Sequence, residues 1–210
     1  MKTHVTFVLD SSGSMASIED DTKGGFNVFL LEQREEAGEA TVTLYNFDTT
    51  VDLVYRGLPV EEAPKLDSEN YRPGGSTALH DAMATAIDGT DAYLDGHAGS
   101  ERPENVVVVV LTDGRENASE TPQEVVRERV EARQDDGWEF LFIGANQDAV
   151  LTAEGLGMGE DRALDMSHSG EGAQEAYRST SRQISNARQT GQTGGYTEED
   201  RRRQWEVDGE

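Results

Sequence analysis

The chain has 210 residues, enough for one medium-sized domain with a substantial core, and its formal net charge is −24. A charge of this sign disfavours nucleic acids and anionic membranes as partners, because both are negatively charged themselves. The absence of cysteine excludes disulfides and thiolate metal sites, and no apolar stretch approaches the roughly 18 residues of a membrane span.

The acidic residues are spread along the whole chain, and only three of the 18 basic residues are lysines. This composition suits a protein that stays soluble in a salty cytoplasm, where screening removes the repulsion between its charges. A GC-rich genome would also favour arginine over lysine, so the lysine count has two explanations. Since the N-terminus lacks the length and cleavage site of a signal peptide, we expect a cytoplasmic protein.

Strand and helix patterns alternate from the start of the chain. Residues 4–9 are short, apolar and β-branched, which predicts a buried strand, and residues 18–36 have apolar side chains at helical spacing. Residues 40–47 and 51–58 predict two further strands. Because only the three residues 48–50 separate these two strands, they must pair antiparallel as a hairpin.

The strongest strand pattern lies in the middle of the chain. An irregular stretch, 59–76, is followed by an amphipathic helix over residues 79–94. The valine run of residues 105–112 indicates a strand buried on both faces, as in the centre of a parallel sheet. The sequence TPQE then predicts a helix start, with Thr121 as the N-cap and Glu124 closing a capping box.

The C-terminal third carries weaker patterns. We expect a buried strand over 138–145, a helix over 148–157, a short edge strand over 162–167 and a polar helix over 171–188. We assign residues 1–190 to one domain and residues 191–210 to a flexible tail, with at most a short helix starting at Thr197. The alternation predicts an α/β, doubly wound, three-layer sandwich around a mainly parallel sheet with one antiparallel edge strand.

Polar residues follow the strands where binding loops of open α/β sheets lie. The loop DSSGSM comes directly after the first strand, and because alternate side chains of an extended loop point the same way, Asp10, Ser12 and Ser14 can converge. Asp113 ends the valine-rich strand, and Thr77 precedes a helix behind two glycines. If those two strands are neighbours, Asp10 and Asp113 face one crevice that Thr77 reaches from the side.

Two carboxylates and several hydroxyls form an all-oxygen ligand set. Such a set suits a hard cation, Mg²⁺ above all, with Mn²⁺ as the alternative. With few carboxylates bound directly, the metal would stay electrophilic and could accept an Asp or Glu side chain from a protein partner.

At these residues the chain resembles the von Willebrand factor type A (VWA) domain family, whose metal-ion-dependent adhesion site (MIDAS) has the pattern D-x-S-x-S, then T, then D. The matching architecture covers about residues 4–157. The resemblance implies a Rossmann-like sheet of order 3-2-1-4-5-6, with Ser12, Ser14 and Thr77 as ligands and Asp10 and Asp113 acting largely through water. It is closest to the stand-alone intracellular members of prokaryotes and their viruses, which implies a protein-binding scaffold in a multiprotein assembly.

Three of the motif residues have a simpler explanation when each is taken alone, since Asp10 and Asp113 are typical turn residues and Thr77 is a typical N-cap. For the other polar residues near these loops we favour structural roles. We interpret Asp48 and Asp81 as structural. Asn146 and Asp148 could line the rim of the site, but capping the next helix is the commoner role. For the histidines we predict solvated or lightly buried positions: His4, His80, His97 and His168.

Two other functions compete with a metal-dependent binding module. A Mg²⁺-dependent phosphohydrolase of the haloacid dehalogenase type needs a carboxylate two residues after its first aspartate and a lysine for phosphate, but that position is Ser12 and no lysine is suitably placed. A serine hydrolase would need a G-x-S-x-G elbow, which is absent. We therefore expect no enzymatic activity. A metal-free structural interaction domain is the third alternative.

Overall fold

A six-stranded sheet forms the centre of the protein in the computed structural model, which describes residues 1–145 and 149–208. The strands are β1 (Lys2–Asp10), β2 (Glu39–Phe47), β3 (Val51–Pro59), β4 (Asn105–Thr112), β5 (Glu139–Ala145) and β6 (Ala163–Met166). Their order in the sheet is β3-β2-β1-β4-β5-β6, and only the β2–β3 pair is antiparallel among the described strands. This order and its single antiparallel pair confirm the predicted fold class.

Helices cover both faces of this sheet. The helices are α1 (Glu19–Glu35), α2 (Leu79–Asp95), α3 (Gln123–Asp135), α4 (Ala149–Gly155), α5 (Gly170–Thr190) and α6 (Glu198–Asp208). The aromatic and aliphatic side chains of α1 and α5 form one buried cluster with the first face of the sheet, and those of α2, α3 and α4 form a second cluster with the other face. No helix among the described residues is both long and apolar enough to cross a membrane.

The register of the central strands places the end of β1 beside the end of β4. Asp10 is paired with Phe47 of β2, and Leu9 is paired with Leu111 of β4. The residues after these strands therefore start at the same edge of the sheet. We call this edge, where β1, β4, β5 and β6 end, the carboxyl edge.

Strand β1 is buried on both faces, and one prediction about it is wrong. Its apolar residues Val5, Phe7 and Leu9 join the cluster under α1 and α5, and the opposite face includes His4 and Thr6. His4 is completely buried rather than solvated or lightly buried. Hydroxyl groups of Thr41 and Thr43 on the neighbouring strand β2 supply the hydrogen bonds that burial of an imidazole requires.

The C-terminal segment also differs from the predicted flexible tail. Residues 193–204 include side chains that are almost fully buried, and α6 packs on α5 and β6. The Glu139 carboxylate accepts from the Thr193 amide at 3.0 Å, and Asp200 pairs with Arg182 at 2.8 Å. Polar anchors rather than an apolar stripe hold this segment, which is why its composition resembles that of a flexible tail.

Two local predictions near helix starts have different outcomes. Helix α3 begins at Gln123 with Pro122 as its N-cap, and no side chain caps it. Thr121 is therefore not the cap, and its amide donates to the Asp81 carboxylate at 2.8 Å. The rim or capping roles considered for Asn146 and Asp148 lie outside the described residues.

Candidate metal site

Two of the three predicted loops meet directly through side-chain hydrogen bonds at the carboxyl edge. Ser12 Oγ lies 3.3 Å from Ser14 Oγ, and Ser14 Oγ donates to Asp113 Oδ1 at 2.5 Å. The Asp10 carboxylate accepts from the Ser12 amide at 2.6 Å through Oδ1. The end of β1 and the end of β4 therefore form one polar crevice, as the switch-point argument predicts.

The chain leaves β1 in a conformation that separates the serines of the first loop. Ser11 Oγ donates to the carbonyl of Phe47 on β2, so the Ser11 side chain turns away from Ser12 and Ser14. Ser12 has an extended backbone, after which a short 3-10 helix runs over Gly13–Ile18. The Gly13 amide donates to the carbonyl of Gly75 at 3.2 Å, which ties this loop to the loop that carries Thr77.

Thr77 lies on the same crevice. A Cβ atom added at Gly114 would meet Thr77 Oγ1 at 2.7 Å and Asp10 Oδ2 at 3.5 Å, so both oxygens flank the space above Gly114. Asn117 holds the backbone of Thr77 on both sides: its Oδ1 accepts from the Thr77 amide at 2.9 Å and its amide donates to the Thr77 carbonyl at 3.0 Å.

Thr77 does not cap the following helix. The residue before α2 is Ala78, and no side-chain cap is formed there. Amides of the first turn instead bond to the loop after β4, where Glu116 accepts from the His80 amide and Ser119 Oγ from the Asp81 amide. The Thr77 hydroxyl is therefore placed toward the crevice rather than used at the helix start.

The two carboxylates of the crevice are both shielded from water. Burial raises the pKa of the Asp10 carboxyl, hydrogen bonds from Thr112 and Ser12 oppose that shift, and the charge of Asp113 adds to it. The Asp113 side chain is only 1% exposed. Two neighbouring buried carboxylates repel each other, and a cation between them would relieve that repulsion.

His168 is a residue at this site that the sequence reasoning missed. Its Nε2 atom lies 2.8 Å from Asp113 Oδ2, although 55 residues separate the two in the chain. The spacing between histidines gave no signal, but the position of His168 did: it lies two residues after the end of β6 and therefore belongs to another loop of the carboxyl edge. The prediction of a solvated or lightly buried position misses this contact.

The other aspartates near the site have the structural roles that the sequence predicts. Asp81 accepts from the amides of Glu120 and Thr121 at 3.0 and 2.8 Å. Asp48 accepts from the Thr50 amide at 2.8 Å within the β2–β3 turn. Within the described ranges, no group of three or more His, Asp or Glu side chains is placed to hold a metal, so hydroxyls must complete any cation site here.

A groove opens beside Asp113 toward α4. Its volume is about 560 Å³, and its lining combines charged residues of the loop after β4 with apolar side chains. Arg115 and Glu116 lie on one side, the exposed Leu151 supplies apolar surface, and the buried Leu156 and Phe142 lie beneath. A partner that reaches Asp113 could therefore also place a neighbouring side chain against this groove.

Comparisons with known proteins agree on the fold. No family model and no curated protein matches the chain. Among solved structures, the chain is similar to a von Willebrand factor type A protein from Catenulispora acidiphila, with a TM-score of 0.64 at 15% identity over 88% of this chain and 43% of that one. It is also similar to the vWF domain of the type V pili tip protein Mfa5 from Porphyromonas gingivalis, with a TM-score of 0.64 at 10% identity over 90% of this chain and 97% of that one.

A third similar structure is that of a protein with an occupied metal site. It is proximal thread matrix protein 1 from the mussel byssus with a zinc-occupied MIDAS motif, at a TM-score of 0.59 and 12% identity over 87% of this chain and 46% of that one. Our chain spans less than half of the Catenulispora and byssus chains. At these identities the similarity shows the architecture alone, and by that architecture the chain has the von Willebrand factor type A fold.

Proposed function

We propose that the domain, together with its packed C-terminal segment, is a metal-ion-dependent protein-binding module that acts in the cytoplasm. The convergence of Asp10, Ser12, Ser14 and Asp113 with the Thr77 loop at the carboxyl edge carries this proposal. The absence of cysteine is in keeping with a reducing compartment. The pilus and matrix proteins with this fold support an interaction role rather than an enzymatic one.

The residues present fit Mg²⁺ or Mn²⁺. Oxygen atoms at adjacent positions of an octahedral shell with bonds of about 2.1 Å lie about 3 Å apart, and Ser12 Oγ and Ser14 Oγ are separated by 3.3 Å. Ser12, Ser14 and Thr77 would hold the ion, while Asp10 and Asp113 would supply negative charge mainly through water. When bound, the ion would offer an electrophilic position for a carboxylate oxygen.

The chain's own residues would select and orient the partner. Asp113 and the groove toward α4 lie side by side, so an Asp or Glu of a partner could reach the ion while its neighbours contact the exposed Leu151. Because the chain carries a charge of −24, that acidic residue would have to project from a partner surface that is otherwise neutral or basic.

The metal part of the proposal is tested by Mn²⁺ binding in molar KCl, followed through the EPR signal of free Mn²⁺. High salt is needed because so acidic a surface otherwise collects divalent cations without specificity. We expect one Mn²⁺ per wild-type chain, displaced by Mg²⁺, and at least a tenfold weaker affinity in Ser14→Ala. The matched control is Ser17→Ala, since Ser17 lies in the same 3-10 helix and its hydroxyl donates to the Ser14 carbonyl rather than to a side chain of the site. Equal binding by all three proteins would contradict the assignment.

The partner part is tested separately with a small carboxylate. Water protons relax faster when they exchange with water bound to Mn²⁺, so a ligand that displaces this water lowers the enhancement. We expect N-acetyl-aspartate amide to lower it for the wild-type complex, and N-acetyl-asparagine amide to leave it unchanged. If both compounds change the relaxation enhancement equally, the protein has a metal site, but the bound ion does not take up a partner's carboxylate as proposed. A wild-type protein that binds no Mn²⁺ would instead favour a metal-free interaction domain.

A further inference from the structure

The connection between β6 and α5 brings His168 to the candidate metal site. It comprises only residues 167–169, and Ser169 caps α5 through its side chain, which accepts from the Gly172 amide at 3.0 Å. The Ser169 amide donates to the Ser167 carbonyl at 2.8 Å, so the connection is a tight turn. His168 at its tip is 37% exposed and reaches Asp113. The five-residue metal pattern in the sequence does not contain this position.

His168 holds the side of Asp113 that the first loop does not. Asp113 Oδ1 accepts from Ser14 Oγ, and Asp113 Oδ2 lies 2.8 Å from His168 Nε2. Contacts to both oxygens fix the rotation of the carboxylate about its bond to Cβ. An imidazole that donates to a carboxylate of a metal site restricts the orientations that the carboxylate can adopt, which is a recognised way to tune metal affinity.

Helix α6 holds the turn that carries His168. Gln204 Oε1 accepts from the Ser167 amide at 3.0 Å, and Gln204 Nε2 donates to the Gly172 carbonyl at 3.1 Å. The single side chain of Gln204 therefore bridges the turn on both sides of His168. Gln204 is 2% exposed, so water does not compete for these bonds.

The start of α6 is itself fixed to the body of the domain. The Thr197 amide donates to Asp200 Oδ2 at 2.9 Å and the Asp200 amide donates to Thr197 Oγ1 at 3.2 Å, a reciprocal cap of the first turn. Arg182 of α5 binds the other oxygen of Asp200 at 2.8 Å. A continuous set of contacts thus runs from α5 through α6 to the turn and on to Asp113.

We propose that His168 is a positioning residue for Asp113, and that Gln204 sets the position of His168, so that the C-terminal segment contributes to the metal affinity of the site. This inference rests on the proposed function, because it assigns a role toward the same metal. Residues that orient a direct metal ligand are worth about 10- to 100-fold in metal affinity. Because Asp113 would act mainly through water, we expect the effect of His168 to be at the lower end of that range. The role belongs to the imidazole as a donor to Asp113, not as a metal ligand.

The test measures Mn²⁺ dissociation constants at one pH in molar KCl for variants at both positions. We expect His168→Ala to weaken binding about tenfold, and His168→Gln, which keeps an N–H donor, to recover most of that loss. Gln204→Ala should weaken binding severalfold. The matched control is Trp205→Ala, because Trp205 is on the same helix and 71% exposed, and we expect wild-type affinity from it.

The double variant His168→Ala/Gln204→Ala separates positioning from general stability. If Gln204 acts through His168, the double variant should bind Mn²⁺ no more weakly than His168→Ala alone. If the losses of Mn²⁺ affinity in the two single variants instead multiply in the double variant, Gln204 does not act through His168. Unchanged affinity in His168→Ala would overturn the inference as a whole. Urea unfolding of the metal-free variants shows whether each is folded, and a variant that does not fold is replaced by His168→Asn or Gln204→Glu.

Two further outcomes are informative. Pulsed EPR of bound Mn²⁺ should show no directly coordinated nitrogen, and a directly coordinated nitrogen that disappears in His168→Gln would make His168 a ligand and overturn the positioning role. Failure of the proposed function is recognised differently, because Ser14→Ala and wild type would then bind Mn²⁺ equally. In that case the role of His168 toward the metal is ruled out together with the proposed function.

Discussion

The buried imidazole of His4 makes the stability of the fold depend on pH in a defined window. Its Nδ1 atom lies 2.8 Å from Thr41 Oγ1, its ring stacks on Tyr93 at 4.3 Å, and it has no exposed surface. Burial, with a smaller contribution from His97, lowers the pKa of His4 to about 3. The folded protein therefore keeps this imidazole neutral at pH values where the unfolded chain protonates it.

The sign and size of the effect follow from proton linkage. Because the folded-state pKa is below the unfolded value of about 6.5, stability is fully present above pH 6.5 and is lost as the pH falls toward 3. Between pH 7 and pH 5 the unfolded chain gains about 0.7 proton at His4, which lowers the free energy of unfolding by about 2 kcal/mol. The variant His4→Gln retains hydrogen-bonding capacity without titrating, so its loss over the same interval should be smaller by about that amount.

Urea unfolding at pH 7 and pH 5, at one fixed KCl concentration, measures this difference. The comparison with His4→Gln removes the contribution of the carboxylates, which titrate in both proteins. The control Thr41→Val removes a partner but keeps the imidazole, and it should retain the wild-type pH dependence. If His4→Gln is too unstable to measure, NMR of the wild-type imidazole provides the second test. Equal pH dependence in wild type and His4→Gln, or protonation of folded His4 near pH 6, would refute the reasoning.

Two further predictions concern the candidate site and the charge of the chain. Gly114→Ala would place a Cβ atom 2.7 Å from Thr77 Oγ1, so we expect at least tenfold weaker Mn²⁺ binding, measured by EPR. The control is Gly24→Ala, whose new Cβ atom meets nothing within 4 Å, and we expect it to bind Mn²⁺ like the wild type. Molar KCl should raise the melting temperature in calorimetry, because it shortens the screening length from about 10 Å at 0.1 M to about 3 Å and weakens the repulsion of the −24 charge. Equal melting temperatures in low and high KCl would contradict the prediction that charge repulsion destabilises the fold.

The sheet was predictable because its signals are local and apolar. Residues 105–112 and 139–145 are nearly continuous apolar runs, and the three residues 48–50 leave no room for a crossover between β2 and β3. The sequence also placed Asp10, Ser14 and Asp113 near one another, since a residue that directly follows a parallel strand lies at the carboxyl edge wherever that strand sits.

The C-terminal segment was not predictable by the same reasoning. Its anchors are polar contacts to residues that are distant in the chain, such as Thr193 with Glu139 and Gln204 with Ser167. Such contacts leave no periodic pattern, so a buried polar residue and a solvated one look alike in the sequence. His4 escaped prediction for the same reason, because its burial depends on hydroxyls of a neighbouring strand.

The candidate site is held by contacts between loops, and these contacts determine how rigid it is before any ion arrives. Asn117 joins the loop after β4 to Thr77, and Gln204 holds the turn that carries His168. Asp113 lies between these two supports, so its position is determined by elements that do not themselves bind the ion. A site held in this way loses little conformational entropy on binding, which favours affinity. Substitutions at Asn117 and Gln204 should therefore change metal affinity more than their distance from the ligand oxygens suggests.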